Sequence, residues 1–221
     1  MKLENLKKIV AKNALKYIPK KKVIGIGTGS TISYFIKYLS RIKDSIKGAI
    51  SSSYHTTVSL RKNGIPIIKL NDVDNLSIYF DSADEINDNM DMIKGGGAAL
   101  MQEKIIASAS KKFICMIDYT KKVNILGKFP LPIEVLPMAY KYVQKELKKF
   151  GGIVKKRKNV ITDNNNYILD IKNLFIKNPL YLENQINNIP GVISVGIFAQ
   201  RKPDILLVSN HTHVQTILNK N

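Results

Sequence analysis

The chain has 221 residues, of which 44% are hydrophobic and 24% are charged, and its formal net charge is +18. This composition is that of a globular protein with a hydrophobic core, so it excludes global disorder. No apolar run approaches the roughly 20 residues that cross a bilayer, and the amino terminus lacks the apolar core of a signal peptide. The single cysteine, Cys115, excludes an intrachain disulfide and is typical of the reducing cytoplasm.

The positive charge comes almost entirely from lysine. Of the 35 basic residues, 31 are Lys and 4 are Arg, and Ile and Asn are also abundant. Proteins that read DNA bases depend on Arg for bidentate contacts to guanine, and neither a zinc-finger spacing nor an aromatic RNA-binding motif is present in the sequence. The composition therefore predicts no nucleic-acid partner and no membrane partner, whereas the charge would attract anionic metabolites.

The first half of the chain alternates amphipathic and β-branched segments. We predict helices over residues 3–18, 32–43, 56–63 and 98–110, and strands over residues 23–26, 48–50, 65–70, 76–80 and 112–117. Strands that alternate with helices are typical of a parallel sheet covered on both faces. Residues 1–127 are therefore predicted to form a doubly wound, mostly parallel, Rossmann-like α/β domain.

The pattern changes after Gly127. We predict a strand over 131–135, a helix over 138–150, strands over 153–157 and 167–171, a helix over 179–189 and a strand over 192–199. This order is that of a ferredoxin-like α+β unit. A further strand over 205–208 and a short terminal helix are assigned to the first sheet. The sequence thus predicts a Rossmann-like domain of residues 1–127 plus 204–221, with a smaller ferredoxin-like domain, residues 128–203, inserted into it.

Ligands of open parallel sheets bind beyond the carboxyl ends of the strands, so the segments that follow the strands are the site candidates. Strand 23–26 is followed by Gly27-Thr28-Gly29-Ser30-Thr31. Glycines let backbone N–H groups approach an anion, and a helix N-terminus adds partial positive charge, so this loop can bind phosphate. It matches neither a dinucleotide fingerprint nor a Walker A loop. An ordinary capped helix start is the alternative interpretation.

Two further polar segments follow along the chain. Asp81 and Asp84 come just after strand 76–80, and such a pair can bind sugar hydroxyls, share a proton or hold a metal. No histidine accompanies them in support of a metal, and an acidic capping turn is the alternative. The run Lys94-Gly95-Gly96-Gly97 offers an ammonium and backbone N–H groups, which a developing oxyanion requires. A linker turn is the alternative there, although three glycines before a helix cost conformational entropy.

Two charged residues complete the set of candidates. Glu103 lies near the start of predicted helix 98–110, where the helix dipole stabilises a carboxylate that can act as a base. A solvated Glu paired with a neighbouring lysine is the alternative. Asp118 follows strand 112–117, and Lys121 comes three residues later. Each motif is weak alone, and their expected convergence on one edge of the sheet is the main argument for a site.

Taken together, these segments resemble ribose-5-phosphate isomerase, type A. The matching stretches are residues 25–31, 81–85, 94–100, 103–105, 129–135 and 188–192, and Asp118 with Lys121 fits the family's lysine-bearing segment. The resemblance covers the whole length of the chain. It implies an aldose–ketose isomerase of the pentose phosphate pathway that interconverts ribose 5-phosphate and ribulose 5-phosphate by base-catalysed proton transfer through an enediolate. It further implies no metal and no cofactor, and a homodimer or a tetramer as the assembly.

The resemblance also implies a role for each candidate residue. Glu103 would be the catalytic base. The substrate and its phosphate would be bound by Thr28, Gly29, Ser30, Thr31, Asp81, Ser82, Ala83, Asp84, Lys94, Gly95, Gly96, Gly97 and Lys121. Lys7 is a further candidate for the phosphate. Ser82 departs from the family, which usually has glycine there, and its Cβ would narrow the pocket or shift Asp81.

Two other kinds of function are compatible with a sugar-phosphate site. A related sugar-phosphate deaminase or lactonase is expected to use histidine near the site, and residues 81–121 contain none. A non-catalytic sugar-phosphate-binding module would not need the carboxylate of Glu103 at its position.

Overall fold

A computed structural model describes residues 2–220 of the chain. Its contacts divide the chain into two compact units, the first of residues 2–83, 102–121 and 203–220, the second of residues 84–101 and 122–202. The helices are α1 (Leu3–Ala14), α2 (Ser30–Leu39), α3 (Tyr54–Lys62), α4 (Leu100–Ala109), α5 (Tyr140–Leu147) and α6 (Pro179–Asn187). The strands are β1 (Val23–Ile26), β2 (Gly48–Ser51), β3 (Tyr79–Asp81), β4 (Glu85–Ile86), β5 (Met92–Ile93), β6 (Phe113–Asp118), β7 (Leu131–Val135), β8 (Ile153–Lys156), β9 (Tyr167–Lys172), β10 (Val192–Val195), β11 (Ile197–Phe198), β12 (Ile205–Ser209) and β13 (Val214–Leu218). None of these helices has the length and apolar character that spanning a membrane requires.

The first unit contains a six-stranded sheet with the order β13-β12-β6-β3-β1-β2. All neighbouring strands are parallel except β13, which is antiparallel to β12. The chain passes from β1 to β2 on one side and then to β3 on the other side of β1, so the strand order reverses between β1 and β3. In open α/β sheets this reversal creates the crevice where ligands bind. The predicted doubly wound, mostly parallel sheet is confirmed.

The core of the first unit lies between the sheet and helices α1 and α2. Ile24 and Ile26 of β1 and Val10 of α1 are completely buried. Phe35 of α2 stacks on Phe80 of β3, with their ring centroids 4.7 Å apart. Burying one such side chain stabilises the fold by about 1.5–3 kcal/mol. This packing fixes the strands whose carboxyl ends carry the candidate residues.

The second unit has a four-stranded antiparallel sheet with the order β10-β7-β9-β8. Helix α5 lies between β7 and β8 in the chain, and α6 lies between β9 and β10. Together with the strand order, this is the predicted ferredoxin-like arrangement. Leu131, Ile133 and Val135 of β7 belong to the apolar core of this unit. Because side chains alternate along a strand, Pro132 and Glu134 point to the opposite face of the sheet. A small sheet of order β11-β5-β4 also belongs to this unit.

The predicted strand over residues 65–70 is wrong. This segment makes one isolated bridge, between Ile67 and Ala49, before a 3-10 turn at Leu70–Asp72. The carbonyl of Pro66 accepts a hydrogen bond from the N–H of Ala49 at 2.8 Å. Proline has no N–H to donate in return, so a regular ladder along β2 does not extend through this position.

The predicted terminal helix is also wrong, because the chain ends its described part as strand β13. This strand pairs with β12 along its full length, from Val214 opposite Ser209 to Leu218 opposite Ile205. The β-branched residues Val214, Thr216 and Ile217 favour a strand.

The compact units do not coincide with the predicted domain boundaries. Residues 84–101 and 122–127 are predicted to belong to the first domain, whereas they lie in the second unit. The reason is long-range pairing, since β5 pairs with both β4 and β11. The predicted strand over 192–199 is divided at Gly196 into β10 and β11, which belong to different sheets.

Candidate active site

The loop between β1 and α2 has the features of an anion site. Gly29 adopts a φ of +125° and precedes α2, whose first turn has no side-chain cap. The backbone N–H groups of an uncapped helix start favour a negatively charged group. Ser30 is exposed and Thr31 is buried in this first turn. Lys7 of α1 brings its ammonium to the loop, where Nζ donates to Ser30 Oγ at 2.9 Å.

Thr28 anchors this loop to the segment that follows β2. Its hydroxyl donates to Ser53 Oγ and shares a hydrogen bond with Ser52 Oγ, both at 2.8 Å. Thr56 Oγ1 donates to the carbonyl oxygen of Gly27 at 2.8 Å. The carboxyl ends of β1 and β2 are therefore joined by hydroxyl groups, which hold the backbone of the loop in place.

Asp81 lies at the carboxyl end of β3, beside the loop after β1. It is completely buried, and its Oδ1 accepts hydrogen bonds from the backbone N–H groups of Thr28 at 3.2 Å and Ser82 at 2.7 Å. Gly27 has no room for a side chain, because a Cβ there would lie 1.9 Å from Asp81 Oδ1. A Cβ on Gly29 would lie 3.5 Å from Ser82 Oγ. The structure thus brings the two segments together.

Tyr79 supports Asp81 from within the sheet. Its hydroxyl donates to Asp81 Oδ2 at 2.5 Å, and its side chain is completely buried. Burial, followed by the negative charges of Asp81 and Glu103, raises the pKa of Tyr79 well above its ordinary value. The phenol therefore stays protonated and keeps its role as a donor.

Glu103 lies in the first turn of α4 and is only 3% exposed. Its charge acts on Tyr79, so these two residues of the first unit are electrostatically coupled. Lys121 is half-buried in the turn that directly follows β6, the neighbour of β3 in the sheet. Asp118, at the end of β6, accepts hydrogen bonds from the backbone N–H and the hydroxyl of Thr120. Ala83 is buried.

The remaining candidates belong to the second unit. Asp84 Oδ2 accepts a hydrogen bond from the N–H of Gly96 at 2.8 Å, and a Cβ on Gly96 would lie 2.6 Å from Asp84 Oδ1. Lys94 is 2% exposed, and its Nζ lies 5.6 Å from the ring centroid of Phe198. Gly95 is buried, whereas Gly96 and Gly97 are exposed. The glycine run therefore presents backbone to solvent beside a carboxylate.

Sequence reasoning missed Tyr79, Ser52 and Ser53, for which signals existed. Tyr79 and Asp81 are two residues apart on a strand, so their side chains share one face. Ser52 and Ser53 follow β2 at the same edge of the parallel sheet as the chosen loops. Among residues 2–220, no group of three or more His, Cys, Asp and Glu residues is arranged to hold a metal ion.

Curated relatives are similar to this chain over its whole length. A protein named ribose-5-phosphate isomerase A from Buchnera aphidicola subsp. Schizaphis graminum is 57% identical over 219 residues, which is 99% of this chain and 100% of the relative. Its counterpart from Buchnera aphidicola subsp. Baizongia pistaciae is 56% identical over 98% of this chain and 100% of the relative.

Solved structures agree with these relatives. Ribose 5-phosphate isomerase A from Neisseria gonorrhoeae has a TM-score of 0.96 and 42% identity, covering 100% of this chain and 99% of that one. A D-ribose-5-phosphate isomerase in complex with phospho-erythronic acid has a TM-score of 0.95 and 42% identity, covering 99% and 100%. The family described as ribose 5-phosphate isomerase A (phosphoriboisomerase A) matches residues 48–212. With this match over most of its length, the chain belongs to the ribose 5-phosphate isomerase A family.

Proposed function

We infer that this chain is an aldose–ketose isomerase that interconverts ribose 5-phosphate and ribulose 5-phosphate in the pentose phosphate pathway. The observation that carries the inference is the full-length match to isomerases, one of them solved with phospho-erythronic acid, a phosphorylated polyhydroxy acid. A deaminase, a lactonase and a non-catalytic binding module are not favoured by these matches.

We propose Glu103 as the base that removes the proton from C2 of the open-chain aldose and returns it to C1. Two observations support this role. The carboxylate is almost completely buried, and it lies in the first turn of α4, where the helix dipole favours its charged form. A positioned carboxylate can move a proton between adjacent carbons, and it can exchange that proton with solvent before the second transfer.

We propose that the phosphate is bound by residues 28–31, with Lys121 and Lys7 supplying positive charge. The uncapped start of α2, the hydroxyls of the loop and the ammonium of Lys7 at Ser30 support this assignment. The phosphate is remote from the reacting carbons, so its binding energy can position them.

We propose that the sugar end of the substrate is handled by the acidic and glycine-rich segments. Asp81 and Asp84, with Ser82 and Ala83 between them, would bind hydroxyls and assist ring opening. Lys94 with Gly95, Gly96 and Gly97 would stabilise the oxygen that becomes negative in the enediolate, because fixed donors at that oxygen lower the barrier. The hydrogen bond from Gly96 to Asp84 supports a common role for these two segments.

The test of Glu103 is its replacement by glutamine, which keeps the size and removes the base. Glu103→Gln should retain the KM for ribose 5-phosphate and lose at least about 100-fold in kcat. Glu146→Gln, on α5, is a matched control and should keep wild-type turnover. In deuterated water the wild-type protein should form ribulose 5-phosphate with deuterium at C1, seen by NMR. Wild-type turnover by Glu103→Gln would remove this residue from the mechanism.

We also propose that the protein works in the cytoplasm as a homodimer. The family resemblance supports this assembly, and the single, buried Cys115 is compatible with a reducing compartment. Sedimentation velocity at micromolar concentration should give the mass of two chains. If the measured mass is that of four chains, the proposed homodimer is wrong and the assembly is a tetramer.

A further inference from the structure

One arginine of the second unit lies against the glycine run and has no role in the function described above. Arg157 directly follows β8, and its guanidinium forms a two-point ion pair with Asp170 of β9, Nε to Oδ2 at 2.9 Å and one terminal nitrogen to Oδ1 at 2.6 Å. The two side chains are 18% and 15% exposed. A paired fork of this kind fixes the plane of the guanidinium.

The third nitrogen of Arg157 is directed at the glycine run. It donates to the carbonyl oxygen of Gly95 at 3.1 Å and to that of Gly96 at 3.0 Å. Two consecutive carbonyl groups therefore converge on a single nitrogen atom, whose position is set by Asp170. A lysine ammonium at the end of a flexible chain does not have this geometry, because it cannot pair with a carboxylate along one edge and donate from another.

This contact determines where the N–H groups of the run point. No described peptide bond is cis, and in a planar trans peptide the N–H points opposite to the carbonyl. With the carbonyls of Gly95 and Gly96 turned to Arg157, the N–H groups of Gly96 and Gly97 point away from it. The N–H of Gly96 does so and meets Asp84 Oδ2 at 2.8 Å.

The glycine run needs an external restraint. Glycine has the largest range of backbone conformations, and Gly95 adopts a φ of +100°. A Cβ at Gly95 would approach Leu100 at 3.0 Å and Pro132 at 3.2 Å, so the close packing excludes the side chain that would otherwise restrict the backbone. The N–H of Ala98 donates to the carbonyl oxygen of Gly95 at 3.0 Å, and Arg157 adds a restraint that acts on the carbonyls of both Gly95 and Gly96.

We propose that Arg157, held by Asp170, is a positioning residue of the isomerase: it orients the peptide groups of Gly95 and Gly96 so that the following N–H groups face Asp84 and the reacting oxygen of the sugar. This inference rests on the proposed function of the glycine run. Arg157 does not touch the substrate in this scheme. It acts through the backbone of Gly95 and Gly96.

The first experiment removes the guanidinium and then supplies it from solution. In Arg157→Ala, kcat should fall by about 10- to 100-fold, the usual effect of a misplaced group, while KM changes by less than about threefold. Guanidinium ion, at concentrations far below those that unfold proteins, should restore much of the lost kcat, whereas equal concentrations of sodium chloride or urea should not. Lys158→Ala, which removes an exposed charge from the next position, is the control and should behave as wild type.

A second variant keeps the proposal testable if Arg157→Ala does not fold. Arg157→Lys retains a positive charge for Asp170 but loses the fork. It should keep the thermal unfolding midpoint close to wild type and still show the fall in kcat. The proposal would be overturned by a wild-type kcat in Arg157→Lys or in a folded Arg157→Ala. It would also be overturned if a folded Arg157→Ala lost kcat and guanidinium did not restore it.

Amide exchange separates this inference from the proposed function. If the wild-type protein does not isomerise ribose 5-phosphate, the function fails, and the orientation of the loop is still measurable. The N–H of Gly96 should exchange with solvent at least about tenfold faster in Arg157→Lys than in wild type, because its hydrogen bond to Asp84 would open more often. Equal exchange rates would show that Arg157 does not orient the loop.

Discussion

Among individual residues, Tyr79 couples the candidate site to the stability of the fold. Its phenol is completely buried and its pKa is raised, so the folded state holds a proton at pH values where the unfolded chain releases it. Above about pH 10, the ordinary tyrosine pKa, the folded state therefore binds more protons than the unfolded state, and stability must fall as pH rises, by up to about 1.4 kcal/mol per pH unit.

Replacing Tyr79 with phenylalanine tests this coupling. Near neutral pH, Tyr79→Phe should be less stable than wild type by about 1 kcal/mol, because Asp81 loses a buried hydrogen bond. As the pH rises past about 10, the difference should narrow, since only the wild type loses the contribution of the buried phenol. Urea unfolding across this pH range measures the difference in stability and its change with pH. Tyr181→Phe, at an exposed tyrosine, is the control. A difference that stays constant with pH would contradict the prediction.

The sequence could predict which face of the strand Tyr79 shares with Asp81, but it could not predict the hydrogen bond between them. Strand alternation puts Tyr79 and Asp81 on one face, which follows from their spacing. Whether the phenol meets the carboxylate depends on the packing around the ring, which includes Phe113 with its centroid 5.1 Å away. That neighbour comes from β6, more than thirty residues along the chain. The contact with Arg157 is of the same kind, because nothing near Gly95 in the sequence indicates an arginine beside it.

Among the secondary-structure elements, β1 is followed directly by Gly27, at a position that only glycine can occupy. A Cβ on Gly27 would lie 1.9 Å from Asp81 Oδ1 and 2.0 Å from its Cγ, so Gly27→Ala must displace this buried carboxylate. The substitution should destabilise the fold by about 1–3 kcal/mol through overpacking. It should also lower kcat/KM for ribose 5-phosphate by at least about tenfold, because Asp81 leaves its place beside Thr28.

A substitution at a second glycine serves as a control that separates the loss of stability from the loss of kcat/KM. Gly151 has a φ of +92° and open space around its Cβ position, so Gly151→Ala costs backbone strain without a clash. It should lower the thermal unfolding midpoint and leave kcat/KM unchanged. If Gly27→Ala lost stability but kept its kcat/KM, Asp81 would not need its observed position for turnover.

The elements that the sequence predicted well carry strong local signals. β1 and β6 are short β-branched or apolar runs between helices, and both occur where expected. The segment over 65–70 has a similar apolar composition, but Pro66 removes one hydrogen-bond donor, and the ladder stops there. β13 is a different case, because its β-branched residues favour a strand, and its pairing with β12 along the full length shows that the predicted terminal helix does not form.

For the chain as a whole, the doubly wound sheet could be predicted because parallel strands bring distant loops to one edge. The loops after β1 and β3 meet for this reason, and Thr28 and Asp81 are hydrogen bonded as a result. The assignment of residues 84–101 to the second unit could not be predicted. β4 and β5 are two residues long and give no periodic signal, and β11, which pairs with β5, lies about a hundred residues further along the chain.

Because the net charge is +18, we expect added salt to change the stability of the fold and the activity in opposite directions. Self-repulsion among like charges destabilises a compact chain, and raising the salt shortens the screening length from about 30 Å at 0.01 M to about 8 Å at 0.15 M. The thermal unfolding midpoint should therefore rise over this range. The same screening weakens the attraction of ribose 5-phosphate, so kcat/KM should fall while kcat stays constant. Calorimetry and initial rates in sodium chloride measure the two trends. If kcat/KM rose together with the midpoint, long-range attraction would not contribute to substrate capture.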